Sequence, residues 1–253
     1  MKKAIRLIGF YGGLVLIWEL LYKLKIWPSY VFPSPVEVVA ALRQGFADHS
    51  FWVGLAVSMR RVLIGYFISV ALGIVLGVLI AGSRTLEETI GGLVMSLQSL
   101  PSICWLPLAV LWFGLNEKAI LFVIVMGSLL AVTQDTTLGI RHVPKIYLMA
   151  GRNLGARGPS MFFHVLVPAS LPHLVSGLKH GWAFAWRSLI SGEMIFVSLG
   201  LGQLLMMGRD LNDMSQVIAV MILIMAIGYF VDRFIFERVE HRMRLKWGLL
   251  PAT

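Results

Sequence analysis

Four ionisable residues, Lys179, His180, Arg187 and Glu193, together with His173 near its start, interrupt an otherwise apolar run between positions 170 and 197. Each would cost roughly 2.5–3.5 kcal/mol if ionised at the centre of a lipid-facing helix, so all four must face protein or water. On helical spacing Lys179, Trp186 and Glu193 are seven apart and form one stripe. Arg187 is turned ~100° from Trp186 and lies ~9 Å along the axis from Glu193, so the two are not an i, i+4 pair. Arg187 could offer a passing anion a cationic way-station, with Glu193 guarding the outer end. Alternatively, both serve interhelical or intersubunit ion pairs.

Other chemistries lack their residues. His173 and His180 share a face, but seven positions separate them by ~10 Å, too far for one metal without further ligands. No HExxH, no Gly-x-Ser-Gly-like elbow and no GxxxxGK[ST] loop occurs in the chain. Metalloprotease, Ser/His protease and ATP-hydrolysing readings therefore have nothing to stand on, and any ATP must be spent by another polypeptide. Gln134 and Asp135 are read as structural groups that bind backbone or loop atoms. The single cysteine, Cys104, permits neither an intrachain disulfide nor a thiolate cluster.

The elements that carry these residues belong in lipid. Of 253 residues, 58% are hydrophobic and 14% charged, and mean hydropathy is +0.81. The net charge of +9 is distributed between apolar runs, which argues against a nucleic-acid-binding face. A hydrocarbon core of ~30 Å needs about 20 helical residues. Six segments qualify: 5–22, 58–82, 90–113, 118–139, 170–197 and 214–236. An all-α membrane protein with six transmembrane helices is expected. The first segment reads as an uncleaved span, not a signal peptide, because no small-x-small site follows it. Pro101 and Pro107 should break or kink the third, which therefore faces protein, and Pro101 becomes a candidate for a translocation path.

With the N-terminus inside, thirteen Lys and Arg fall in cytoplasmic segments (Lys2, Lys3, Arg6, Arg84, Arg141, Lys145, Arg152, Arg157, Arg233, Arg238, Arg242, Arg244, Lys246). Seven fall outside (Lys23, Lys25, Arg43, Arg60, Arg61, Lys118, Arg209). This bias puts both termini in the cytoplasm. Ser34-Pro35-Val36-Glu37 has the form of a capping box, opening a helix that lies on the outer membrane face. Gly73 and Gly77 form a GxxxG pair, read as packing within one subunit. One integral-membrane domain is expected: a first span and external helix over 1–57, a core bundle over 58–236, and a basic tail over 237–253.

The stretch Pro144–Pro172 departs from this pattern, being basic and rich in small residues. Pro144 can open a short helix in its first turn and Gly155 can close it in the left-handed conformation. Tyr147, Ala150, Gly151 and Leu154 follow i, i+3, i+4, i+7 spacing, with Ala150 and Gly151 leaving room for another backbone. Here the chain resembles the inner-membrane permeases of bacterial ABC importers, whose cytoplasmic coupling segment reads Glu-Ala-Ala, three residues, Gly, then a hydrophobic-Pro ending. The matching residues are Met149-Ala150-Gly151, Gly155 and Val167-Pro168, with Met149 in place of the family's Glu and Gly151 in place of its second Ala. Phe32-Pro33-Ser34-Pro35-Val36-Glu37-Val38 and Ala185-Trp186-Arg187-Ser188-Leu189-Ile190-Ser191-Gly192-Glu193-Met194-Ile195 narrow the likeness to the nitrate, sulfonate, taurine and bicarbonate branch.

The resemblance implies a type I importer permease fold with a cytoplasmic coupling helix between the fourth and fifth spans. Tyr147, Ala150, Gly151, Leu154, Gly155, Ala156 and Pro168 would serve ATPase coupling. It also implies a second permease copy, two cytoplasmic ATPases that bind ATP and Mg, and an external solute-binding protein. Related members carry vitamins or their precursors, so the solute stays open. An ion-coupled secondary transporter is the competing class, but it predicts interrupted helices in matching halves and the last span has no interruption.

Overall fold

The computed structural model describes residues 2–196 and 198–246. Val197, the expected end of the fifth span, and residues 247–253 of the expected tail lie outside the described residues, as do the side chains of Lys2, Lys3, Arg244 and Lys246. All regular structure among the described residues is helical. The helices are α1 (Lys2–Lys23), α2 (Pro35–Ala47), α3 (Ser50–Gly82), α4 (Arg84–Gln98), α5 (Ser102–Phe113), α6 (Glu117–Arg141), α7 (Lys145–Asn153), α8 (Pro159–Ile195), α9 (Leu201–Asp210) and α10 (Met214–Met243). Five are long and apolar enough to cross a membrane, or six if the bent pair α4–α5 counts as one.

The third expected span is broken outright. Helices α4 and α5 meet at 104°. Pro101 sits at the corner with extended backbone (φ −54°, ψ 138°), whereas Pro107 falls in the first α-helical turn after it, where a missing N–H costs nothing. Helix α3 begins at Ser50, eight residues before the expected boundary. Arg60 and Arg61, counted above with the external residues, lie about three turns into it and not at its outer end.

The chain divides into two compact units, one made of residues up to Ser58 with Glu193–Ala226, the other of Met59–Gly192 with the residues from Ile227. In the first unit, Ser34 and Glu37 form the expected capping box: the Glu37 amide donates to Ser34 Oγ at 3.2 Å and the Ser34 amide to Glu37 Oε2 at 2.8 Å. Trp18 Nε1 donates to the Pro33 carbonyl at 2.9 Å, tying α1 to that corner.

In the second unit, glycine sets the helix spacing. A Cβ at Gly73 would stand 2.9 Å from Val132, and one at Gly77 would stand 2.8 Å from the Thr133 carbonyl. The GxxxG pair thus packs α3 on α6 inside the chain, as expected. On an adjoining face of α6 that shares Val132, a Cβ at Gly177 would lie 2.6 Å from Asp135 and one at Gly181 2.5 Å from Val132, so α8 approaches as closely. The result is that α6 is the most buried of the candidate spans, with Ala119, Ile120, Val123, Ile124 and Ala131 fully buried. Exposed apolar side chains cover the remaining helix faces, as bilayer contact requires.

Candidate functional site

The second unit places Arg187 and Pro101 in one cavity. Its volume is about 340 Å³, and its lining includes Gln98, Pro101, Ser102, Trp105, Phe184 and Arg187. This lies at the lower end of the ~300–1,000 Å³ range of small-molecule pockets. Arg187 Nε donates to the Ala183 carbonyl at 3.0 Å, and the guanidinium carbon stands 4.5 Å from the centroid of the Phe184 ring. Both contacts are local to α8 and hold the head group without consuming its charge. Gln98 Oε1 is buried without a hydrogen-bond partner among the described residues. The pocket thus holds a cation beside polar and aromatic side chains, and the guanidinium suits it to a small anion.

Glu193 is placed differently. Expected to guard a path, it is instead fully buried, with 0% exposure. Within the first unit, Glu193 Oε2 accepts from Ser58 Oγ at 2.7 Å and from the Gly202 amide at 3.1 Å, while Ser58 Oγ accepts from the Leu201 amide at 2.9 Å. The N-cap of α9, Gly200, has no side chain to satisfy those amides. Glu193 and Ser58 do so instead, and a carboxylate at a helix N-terminus also opposes the helix dipole favourably. Gly200 is required by closeness: a Cβ there would lie 2.5 Å from the Glu193 carboxylate.

Helix α7 is the expected short helix, shifted by one residue. Pro144 is its N-cap (φ −56°, ψ 134°) and not its first helical residue. At the other end Gly155 has φ +85°, its amide donates to the Arg152 carbonyl at 3.0 Å, and the Ala156 amide donates to the Gly151 carbonyl at 2.9 Å. This 5→2 and 6→1 pair is a Schellman closure, which the sequence anticipated through Gly155. The expected shared face is split, however. Tyr147, Ala150 and Leu154 are exposed, but Gly151 is buried, and a Cβ there would stand 2.8 Å from Val165 Cγ2 and 3.2 Å from Met161 Sδ of the same chain. Ala156 is half-buried behind the turn. Pro168 lies inside α8, where residues Phe162–Leu166 widen to i→i+5 bonding. That widening takes in His164, whose carbonyl the Pro168 ring would otherwise strike.

Two ion-pair sites escaped the sequence. Arg60 and Arg61 both reach Glu117 at the start of α6, at 2.9 and 3.1 Å, the Arg61 side chain being only 4% exposed. In α8, Lys179 pairs with Asp232 at 3.0 Å and His180 Nδ1 lies 3.0 Å from Asp135 Oδ2. Asp135 thus binds a side chain, not the loop groups expected of it. Among the described residues no cluster of three or more His, Cys, Asp or Glu is placed to hold a metal.

A helical membrane chain with a broken span, a capped short helix between two long ones and no nucleotide loop matches one known pattern. The sequence profile described as "Binding-protein-dependent transport system inner membrane component" matches residues 70–245. The chain belongs to that family. A putative ABC transporter permease of Methanocaldococcus jannaschii is 34% identical over 87% of this chain and 84% of its own. A putative aliphatic sulfonates transport permease of Escherichia coli is 31% identical over 93% and 89%. The nitrate import permease of a Synechocystis strain is 26% identical over 92% and 87%. Among solved structures, an inward-facing methionine ABC transporter superposes with a TM-score of 0.68 at 19% identity, covering 77% of this chain and 96% of that one. The fold is therefore that of type I ABC importer permeases. This binding-protein-dependent permease is a multi-pass inner-membrane subunit, and such systems work with a solute-binding protein and an ATPase.

Proposed function

We propose that this permease carries a small anion of the nitrate, sulfonate, taurine or bicarbonate kind, and that the Arg187 cavity is a station on its path. The observation that carries the reading is the Arg187 head group, charged, unneutralised by any described carboxylate within ion-pair distance, and opening into the Pro101 corner. The names of the sulfonate and nitrate relatives support the solute class. A second copy of the chain would complete the path, both termini would face the cytoplasm, and Lys and Arg bias supports that orientation. Two separate ATPases would bind ATP and Mg and close on α7, while a binding protein delivers solute outside. Transport is then a two-state rearrangement whose balance is set by ligand contacts at distant surfaces. Ala150, Leu154 and Tyr147 form the exposed part of the docking face, Gly151 seats α7 against Val165 and Met161 of α8, Gly155 and Ala156 fix its end, and Pro168 shapes the start of α8. Glu193 holds α9 in place and does not touch solute.

The test is ATP-driven uptake in proteoliposomes that hold the whole transporter, with each candidate anion and its binding protein. Arg187→Gln should lower uptake while assembly persists; unchanged uptake removes Arg187 from the path. Gly155→Leu, forced to φ +85°, costs about 1–2 kcal/mol locally and tilts α7. Uptake should fail although the chain still inserts, and wild-type uptake would remove α7 from coupling.

A further inference from the structure

On the reading that α7 docks a separate ATPase, we infer that the surface receiving it is an apolar cleft rimmed by acidic side chains, whose carboxylates meet Arg152 and Arg157. Between Asp135 and Glu193 the chain has no acidic residue. Arg141 is neutralised at home by Glu87. Lys145, Arg152 and Arg157 have no carboxylate within ion-pair distance among the described residues, and Arg152 and Arg157 are exposed. These two arginines line a hollow of about 390 Å³ together with Ala156, Gly158 and Met161. Cβ positions at Gly155 and Gly158 meet no heavy atom within 4 Å, so backbone there is open to a close approach. Beside the hollow, Leu154 is 88% exposed and Met149 55%. Met149 stands where the family pattern has Glu, so α7 presents charge of one sign only.

Guanidinium forks pair best with carboxylates, and exposed apolar residues next to them need an apolar counterpart. A projecting carboxylate side chain fits the concave hollow, whereas an anionic lipid surface, the competing source of negative charge, is planar.

The experiment is co-purification and affinity measurement of the permease with the ATPase of its own transport system, co-expressed. The variants are the Arg152→Glu, Arg157→Glu double, the corresponding double to Gln, and Leu154→Asp. Both arginines are exposed, so detergent melting temperatures should match wild type and serve as the folding control. Charge reversal is expected to weaken binding at least about tenfold. Raising salt from ~0.05 to ~0.5 M should loosen the wild type but not the Gln double. If Leu154→Asp releases the ATPase while charge reversal does not, α7 docks but its partner is not acidic. If no variant loses affinity, the docking reading itself falls. A loss seen only in nanodiscs of anionic lipid, and absent with zwitterionic lipid, assigns the arginines to the membrane and overturns the inference.

Discussion

Arg187 and Glu193, six positions apart on α8, meet the cost of a charge inside a membrane protein in opposite ways. Arg187 opens into a cavity of about 340 Å³ and, among the described residues, is steadied by the Ala183 carbonyl and the Phe184 ring. Glu193 has no exposure, and Ser58 and the Gly202 amide donate to it. A charge held by neutral local groups remains available to a transient ligand. One whose donors come from another helix start is part of the frame, because removing it leaves those donors without partners.

The sharpest way to break this contrast is Glu193→Ala. Losing the carboxylate strands the Ser58 hydroxyl and the Gly202 amide, for a destabilisation of about 3 kcal/mol. A detergent melting curve superposable on wild type would show that Glu193 is no frame residue. Gly200→Ala comes next, because its Cβ would intrude to 2.5 Å from the same carboxylate. It should cost about 2 kcal/mol by overpacking. Combined with Glu193→Ala, the loss should be well below the sum, since the clash disappears with the carboxylate. Additive losses would place the Gly200 strain elsewhere.

Arg187→Gln probes the other side of the comparison. Uptake of the carried anion should fall about tenfold, the equivalent of ~1.4 kcal/mol, with the melting temperature unchanged. A variant that melts lower while transporting normally would reverse the assignments of the two residues.

What was legible in the sequence was local. The Ser34–Glu37 capping box, the Gly155 closure and the break at Pro101 are each decided by backbone chemistry within a few residues, and all three stand in the structure. The partners of charged residues were not legible. Ser58 lies 135 positions from Glu193, and Glu117 lies 56 from Arg61, so no spacing rule links them. The first two turns of α3, residues 50–57, were also missed, although the expected span already took in both arginines. Gly151 misled for a related reason: its spacing marked a close approach correctly, but whether the neighbour is another subunit or Val165 depends on where α8 begins.

The contrast sharpens further at Asp48, an exposed counterpart of Glu193. Its Oδ1 accepts from the Ser50 amide at 2.9 Å at the start of α3, as Glu193 does at the start of α9. The Ser50 hydroxyl and then its amide hold the Asp48 carboxyl below its usual value, with the neighbouring His49 adding to the effect. Because the folded value is depressed, the carboxylate's contribution is complete above the ordinary Asp range, about pH 4, and is lost as pH falls through the lowered value. Asp48→Asn keeps an acceptor but removes the charge. The melting-temperature gap between wild type and this variant should be small at neutral pH, because water screens an exposed group, and should close on acidification. A gap that holds constant down to pH ~3 would mean that the charge at Asp48 contributes nothing. Capping by a carboxylate would then matter in this chain only where, as at Glu193, solvent is shut out.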